Sequence, residues 1–183
     1  MRVIAGTAKG IRLAPVPAGV RPVSDRAREG LFSSLGASIA GTRVLDLYAG
    51  TGALAIEALS RGAASAVLVE RHRLALRAIR DNLVRAQVAD RARVVASEVR
   101  RFLTRAGDPA TPFEVIVADP PYEAGDPELG DVLGALTRGW LAEGWTVALT
   151  RGIRSSTAVI PVDWLPARRL DYGDTLVLVY RQR

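Results

Sequence analysis

The run Asp119-Pro120-Pro121-Tyr122 combines residue types that suit recognition of a flat ring bearing an amine. Asp119 and the Pro120 carbonyl are two acceptors for the N–H bonds of an exocyclic amine, and the paired prolines restrict the direction of that carbonyl. Tyr122 offers a flat face on which a base withdrawn from its helix can stack. Bending the amine toward tetrahedral geometry would localise its lone pair for in-line attack on a methyl group. The predicted chemistry therefore depends on positioning and electrostatics, without a covalent nucleophile.

A second candidate site is the glycine-containing stretch that begins at Asp46. Gly50 and Gly52 let the backbone approach a ligand closely, and a following helix would present its N-terminal N–H groups. Gly50, Gly52 and Ala55 match a dinucleotide pattern, G-x-G-x-x-G/A. Asp46, however, would repel a pyrophosphate, whereas it can meet an ammonium group. The D-x-x-x-G-x-G form therefore favours S-adenosylmethionine, which carries an ammonium and a carboxylate but no phosphate. The candidate cofactor-binding residues here are Asp46, Tyr48, Ala49, Gly50 and Gly52.

Two further acids follow predicted strands. Glu70 lies 24 residues after Asp46, and an acid about 20 residues beyond such a turn can accept both hydroxyls of a ribose. Glu98 follows the next strand and is placed to reach an adenine edge. Both are predicted cofactor-binding residues.

Cysteine and histidine content excludes several chemistries. The chain has no cysteine and one histidine, His72, which excludes thiolate zinc sites, cysteine nucleophiles and multi-histidine metal centres. Methylation at C5 of a pyrimidine normally uses a cysteine nucleophile, so methylation at an amine fits this chain better. We expect no metal, and we expect His72 to begin a surface helix without a catalytic role.

Positive charge is concentrated near the N-terminus. The formal net charge is +6 and the pI is about 10.6, which favours a polyanionic partner. Only Asp25 and Glu29 are acidic within residues 1–35. The basic residues of that segment are Arg2, Lys9, Arg12, Arg21, Arg26 and Arg28.

Apolar strands alternate with helices through most of the chain, which predicts a parallel sheet buried on both faces. Ligands of such sheets bind beyond the carboxyl ends of the strands. The predicted strands are Val44–Tyr48, Ala66–Val69, Arg93–Ala96, Val115–Ala118 and Trp145–Leu149, and an antiparallel pair at Leu165–Leu170 and Leu176–Tyr180 closes the fold. The first predicted helix is capped by Ser24 and runs to about Leu35. The other predicted helices are Thr51–Arg61, Leu74–Ala86, Val99–Arg105 and Pro127–Arg138.

Residues 1–21 are predicted to form a basic arm or hairpin, and residues 22–183 a single domain. The N-terminus lacks the sustained apolar run of a signal peptide, and no stretch reaches the ~20 residues of a membrane span. We therefore expect a cytoplasmic protein. Trp140, Trp145 and Trp164 are dispersed and are predicted to pack in the core or at its edge.

Together these residues resemble the RsmD-type 16S ribosomal RNA guanine-N2 methyltransferases of bacteria, over essentially the whole chain. Residues 3–13 resemble the opening arm of the family. Residues 21–32 are close to its R-P-T-x-D-R-x-R-E-x-L-F signature, although Val23-Ser24 departs from it mildly. Residues 46–52 and 57–63 match the cofactor loop and the helix after it, and residues 119–122 match its D-P-P-[YF] motif. The last motif is shared by amine methyltransferases of DNA, RNA and protein, whereas the N-terminal signature is much more specific.

The resemblance implies a Rossmann-like, S-adenosylmethionine-dependent methyltransferase with a seven-stranded, mostly parallel sheet whose last strand is antiparallel. It implies that residues 119–122 hold a guanine of 16S rRNA in the small ribosomal subunit. It also implies that basic residues of the N-terminal region contact RNA phosphates, namely Arg2, Lys9, Arg12, Arg21 and Arg26. We expect a monomer.

Three alternatives remain open from the residues. A DNA amine methyltransferase, or one acting on adenine N6 or cytosine N4 of another RNA, would use the same loop, although no extra target-recognition domain is visible. A non-catalytic ribosome-assembly factor on the same scaffold would not need the Asp119–Tyr122 loop. A nicotinamide dehydrogenase is the most distant alternative.

Overall fold

The computed structural model describes residues 1–15, 23–104, 107, 111–121, 125–155 and 160–183. Within them, five α-helices, two short 3-10 helices (Gly36–Ile39 and Ala89–Arg91) and seven strands follow one another along the chain. The helices are α1 (Asp25–Leu35), α2 (Ala53–Ser60), α3 (Arg73–Arg85), α4 (Val99–Leu103) and α5 (Asp126–Leu136). The strands are β1 (Arg43–Leu47), β2 (Ser65–Glu70), β3 (Ala92–Ala96), β4 (Phe113–Ala118), β5 (Leu141–Gly152), β6 (Trp164–Tyr172) and β7 (Thr175–Gln182).

The strands form one sheet in the order β3-β2-β1-β4-β5-β7-β6. The first five strands in this order are parallel to one another, and β7 is antiparallel to both β5 and β6. The predicted sheet, including its antiparallel last strand, is confirmed. The strand order reverses between β1 and β4, so the ligand site is expected at the carboxyl ends of these strands.

Two apolar layers cover the sheet, because the side chains of a strand point alternately to its two faces. One layer contains α1, α2 and α3 together with Val44, Leu68 and Val117. The other contains α4 and α5 together with Leu45 and Ile116. Trp145 and Trp164 are buried in the second layer, and Trp140 packs against it, as predicted.

Ser24 caps α1, as the sequence predicts. Its hydroxyl accepts a hydrogen bond from the Ala27 amide at 3.1 Å, which satisfies one of the unpaired N–H groups at the start of the helix. The residues of α1 that are buried include Ala27, Leu31, Phe32 and Leu35.

The N-terminal arm, residues 1–15, folds back on itself and lies on α2. Arg2 and Arg12 form an antiparallel bridge. The buried Glu57 carboxylate on α2 accepts the amides of Ile4 at 2.8 Å and Ala5 at 3.0 Å, and it also pairs with Arg61. Val3, Ala8 and Leu13 are buried in the layer that contains α2. The arm is therefore part of the packed body of the protein, although its charged side chains face outward.

Candidate active site

The carboxyl ends of the parallel strands bring the predicted site residues to one edge of the sheet. Leu47 pairs with Val69 on β2 and with Ala118 on β4. The loops that leave these strands are tied to neighbouring strands, since the Ala49 amide donates to the Val69 carbonyl at 3.1 Å and the Asp119 amide donates to the Leu47 carbonyl at 3.3 Å. The glycine turn, Glu70 and Asp119 are thus neighbours in space although they are far apart in sequence.

Residues 48–52 form a tight turn between β1 and α2. The Gly52 amide donates to the Ala49 carbonyl at 2.7 Å. Tyr48, Gly50 and Gly52 have φ angles of 61°, 57° and 78°, in the left-handed region that non-glycine residues rarely occupy. A side chain at Gly52 would contact Leu68 at 3.1 Å. The turn is therefore strained at Tyr48, and glycine at 52 permits close packing against β2.

Glu70 holds the glycine turn from the neighbouring strand. Its Oε2 accepts the Gly50 amide at 2.8 Å, while its Oε1 accepts the amides of Arg71 at 2.8 Å and His72 at 2.7 Å. One carboxylate therefore joins the turn after β1 to the turn after β2. His72 is the N-cap residue of α3 and is exposed, so its predicted place at the start of a surface helix is confirmed.

Asp46 is fully buried beneath the turn. Its Oδ2 accepts the Ala55 amide in the first turn of α2 at 3.0 Å, while its Oδ1 has no hydrogen-bond partner among the described residues. Burial raises the pKa of this carboxyl well above its usual range, because the charged form loses its hydration. An orphaned acceptor at this place fits a ligand that supplies a positive charge or a donor.

Tyr48 and Ala49 complete the turn. The Tyr48 hydroxyl is buried without a partner among the described residues, and burial raises its pKa to about 12. Ala49 is buried. Glu98 follows β3 at the same edge, and its carboxylate accepts the amides of Arg100 at 3.0 Å and Arg101 at 2.7 Å, so it caps α4.

The Asp119 carboxylate is oriented by the adjacent strand. The hydroxyl of Thr150, on β5, donates to Asp119 Oδ1. Thr150 is itself buried, so this hydroxyl is shielded from water. Pro120 is buried, Pro121 is exposed, and Tyr122 lies outside the described residues. The sequence analysis missed Thr150 because its partner is 31 residues away and gives no local signal.

The basic residues of the N-terminal region differ in their exposure. Arg2, Lys9, Arg12 and Arg26 are exposed, and Arg21 lies outside the described residues. Arg28 is fully buried: it donates to the Arg2 carbonyl and to Asp25, while its Nε and Nη1 have no partner among the described residues. Burial lowers its pKa. Arg28 therefore cannot contribute to a surface for a polyanion.

Asn82, on α3, is a second residue that the sequence analysis missed. It is fully buried, its Oδ1 accepts the Ala14 amide at 2.7 Å, and its Nδ2 donates to the Thr51 carbonyl at 2.9 Å. One side chain therefore connects the N-terminal arm to the glycine turn. Its position in the apolar stripe with Ala75, Ile79 and Leu83 is the signal that could have revealed it.

Within the described parts of the chain, no helix is long and apolar enough to cross a membrane. The same parts contain no group of three or more His, Cys, Asp or Glu residues that could hold a metal ion.

The sheet order with its reversed last strand, the glycine turn after β1 and the acids at the carboxyl ends of β1 and β2 define a Rossmann-like methyltransferase fold. The chain belongs to the RsmD family, whose model, described as conserved hypothetical protein 95, matches residues 1–181. The resemblance inferred from the motifs is thereby confirmed.

Similarity to individual proteins supports the assignment to this family. The chain is 35% identical to "Ribosomal RNA small subunit methyltransferase D" of Escherichia coli over 185 aligned residues, which cover 100% of this chain and 90% of that protein. The solved structure of yhhF from Escherichia coli is 35% identical, with a TM-score of 0.86 over 100% of this chain and 98% of that one. A structure of SMU.776 complexed with SAH is 14% identical, with a TM-score of 0.67 over 85% of this chain and 48% of that one, and shares the fold.

Proposed function

We propose that this protein is an S-adenosylmethionine-dependent methyltransferase that modifies the exocyclic N2 amine of a guanine in 16S rRNA of the small ribosomal subunit. The observation that carries the proposal is the Asp119-Pro120 pair, which lies at the sheet edge beside the glycine turn, with Asp119 oriented by Thr150. The printed name of the Escherichia coli relative supports the substrate class. The choice of guanine N2 rests on the family resemblance.

The residues present fit the proposed cofactor. The buried Asp46 has an orphaned oxygen beneath the turn, and Glu70 is placed at the end of β2, where an acid meets a ribose. Tyr48, Ala49, Gly50 and Gly52 would line the backbone cradle, and Glu98 would lie toward the adenine. When bound, S-adenosylmethionine supplies a methyl group on a sulfonium sulfur, which leaves as a neutral thioether.

The chain would contribute positioning and electrostatics to the reaction. Asp119 and the Pro120 carbonyl would accept the two N–H bonds of the guanine amine, and Tyr122 would stack on the base. As the new nitrogen–carbon bond forms, positive charge develops on the amine. The Asp119 carboxylate would stabilise that charge and accept the proton that the nitrogen must lose.

The proposed partner is the small subunit or its 16S rRNA, met in the cytoplasm by a monomer, without a metal. Exposed basic side chains of the N-terminal region would contact phosphates. These are Arg2, Lys9, Arg12 and Arg26, together with Arg21.

Tritiated-methyl transfer from S-adenosylmethionine to unmodified 30S subunits and to free 16S rRNA, followed by nucleoside analysis, tests the proposal. We expect N2-methylguanosine. Asp119→Ala should abolish transfer while cofactor binding survives, and Asp163→Ala, at an exposed aspartate, is the matched control. Transfer to duplex DNA instead, another methylated nucleoside, or full activity of Asp119→Ala would overturn it. Subunit binding without methyl transfer would favour a non-catalytic assembly factor.

A further inference from the structure

The solvent face of α3 carries a row of arginines. The α3 arginine face consists of Arg71, Arg73, Arg77, Arg80 and Arg85, and all five are exposed. Asp81 is the single acidic residue between positions 71 and 85. At a rise of ~1.5 Å per residue, the helical members of this face span about 18 Å. The face is therefore long enough to follow an extended polyanion.

The side chains of these arginines do not stabilise the described structure through ion pairs. Some other arginines of the described residues pair with carboxylates, as in Arg43–Glu114, Arg61–Glu57 and Arg151–Asp126, whereas the exposed Arg101 and Arg138 do not. Within the same ranges, no arginine of the α3 arginine face pairs with an acid. Arg73 and Arg77 are like charges four residues apart, which disfavours a helix by roughly 0.2–0.5 kcal/mol, whereas Asp81 lies four residues from both Arg77 and Arg85 and offsets part of this repulsion. The positive charge of this face is therefore largely available to a ligand in solution.

The position of α3 connects this face to the candidate active site. The helix begins directly after Glu70, whose carboxylate holds the glycine turn. Its opposite side is buried in the same layer as the N-terminal arm, and Asn82 joins it to Ala14 of the arm. The α3 arginine face and the exposed basic residues of the arm are thus on the same side of the sheet. The α3 arginine face starts at the sheet edge where a target nucleobase would enter.

We propose that the α3 arginine face binds the phosphate backbone of the RNA that flanks the target nucleotide. The inference rests on the proposed function and extends it to a surface that no motif indicates. The guanidinium group suits this contact, because its planar fork can donate two parallel hydrogen bonds to a phosphate. Such contacts orient the RNA and supply salt-dependent affinity without reading sequence.

The double variant Arg77→Gln/Arg80→Gln tests the proposal, because both residues lie mid-helix, away from the turn. Its matched control is Arg101→Gln/Arg138→Gln, two exposed arginines on or beside α4 and α5, across the sheet. Affinity for 30S subunits and for 16S rRNA is measured at several salt concentrations, and S-adenosylmethionine affinity and thermal stability are measured in parallel.

For Arg77→Gln/Arg80→Gln we expect an RNA affinity that is lower than that of the wild type by roughly tenfold or more at about 0.1 M salt. The slope of log K against log salt should be smaller in magnitude by about 1.4. The loss should fall on KM for the subunit, with cofactor affinity unchanged. Wild-type affinity and slope in this variant, or an equal loss in Arg101→Gln/Arg138→Gln, would overturn the proposal. An equal loss of binding to polyglutamate would assign the face to acidic proteins instead.

The binding measurement separates this inference from the proposed function. If the wild-type protein binds rRNA but transfers no methyl group, the proposed reaction fails while the α3 arginine face is still tested by the slope. If transfer proceeds and the slope does not change, the reaction stands and the inference fails. Absence of salt-dependent rRNA binding by the wild-type protein would also overturn the inference.

Discussion

The hydroxyl of Thr150 donates a hydrogen bond to the carboxylate of Asp119 across two adjacent parallel strands. Ala118 pairs with Leu149, so Asp119, which directly follows β4, lies beside Thr150 on β5. Because Thr150 is buried, water does not compete for its hydroxyl. The residue proposed to hold the target amine is therefore oriented by a partner on a rigid element, which is how precise sites are generally built.

Replacement of Thr150 by valine should slow methyl transfer. Hydrogen bonds to charged groups contribute about 1.5–3 kcal/mol, which corresponds to a roughly 10- to 100-fold loss in kcat. Thr150→Ser retains the hydroxyl and should recover most of the rate, whereas cofactor affinity should not change in either variant. Single-turnover methylation of 30S subunits measures the effect. A fully active Thr150→Val protein would show that Asp119 needs no such support.

Replacement of Glu70 by glutamine should weaken cofactor binding. The glutamine retains one acceptor oxygen for three backbone amides, those of Gly50, Arg71 and His72. The glycine turn would lose its tie to β2, and a ribose would lose a charged acceptor, so we expect a Kd that is about 10- to 100-fold higher. Isothermal titration calorimetry with S-adenosylmethionine measures it. Glu143→Gln, at an exposed glutamate of β5, should bind as the wild type does, and equal Kd values for the two variants would refute the role of Glu70.

Asp46 should make the stability of the ligand-free protein decrease as pH rises. Burial raises its pKa, so between the unfolded value of about 3.9 and the folded value the native state holds the additional proton. Raising the pH through that window therefore favours unfolding, and above the folded value this contribution no longer changes.

Thermal unfolding of the wild type and Asp46→Asn across a pH series isolates the effect of Asp46. The asparagine stays neutral, so the difference in Tm between the two proteins should change in favour of the variant as pH rises from about 4. Asp163→Asn, at an exposed aspartate, is the matched control for this comparison. Parallel curves for wild type and Asp46→Asn would contradict the prediction.

Gly6 and Gly10 form a matched pair for testing how the arm is held. Their φ angles are 81° and 86°, but a Cβ at Gly6 would lie 1.8 Å from the Ser60 carbonyl oxygen, whereas a Cβ at Gly10 would meet nothing within 4 Å. Gly10→Ala should cost about 1–2 kcal/mol for its left-handed backbone. Gly6→Ala should cost more, because the arm must move away from α2.

Urea denaturation and amide hydrogen exchange measure this difference. In Gly6→Ala we expect faster exchange at Thr7 and Ala8, whose amides donate to the Ser60 carbonyl and hydroxyl. Gly10→Ala should retain protection at both amides. Equal stability losses and equal protection in the two variants would show that the contact with Ser60 does not hold the arm.

The order of helices and strands could be predicted because each element has its own local pattern. Continuous apolar runs marked β1, β2 and β4, and Ser24 marked the start of α1 by a side chain that caps within three residues. Since parallel strands end at one edge, the position of Asp119 near the glycine turn followed from the alternation alone. The hydrogen bond that orients Asp119 could not be predicted in this way, because Thr150 belongs to a strand that is more distant in sequence.

Buried polar residues account for most of what sequence analysis missed. Arg28 was counted among the basic residues of the N-terminal region without any prediction of burial, yet it lies in the same helix as Leu31, Phe32 and Leu35 and is fully buried with them. Asn82 likewise occupies the inward stripe of α3. Burial of such groups depends on partners brought by other segments, such as the Arg2 and Thr51 carbonyls, which periodicity does not indicate.

The packing of the N-terminal arm against α2 and α3 bears on the rate of unfolding. Residues 4–14 precede their docking partners, Glu57, Ser60 and Asn82, by more than 50 residues in the chain, so they emerge earlier than these partners during synthesis. The arm must therefore wait, undocked, until α2 and α3 have formed. Because these contacts join segments that are far apart in sequence, we expect them to form after the folding transition state. Arm variants should then accelerate unfolding while leaving the folding rate nearly unchanged. On this expectation, the arm would determine how long the folded protein lasts, rather than how quickly it forms.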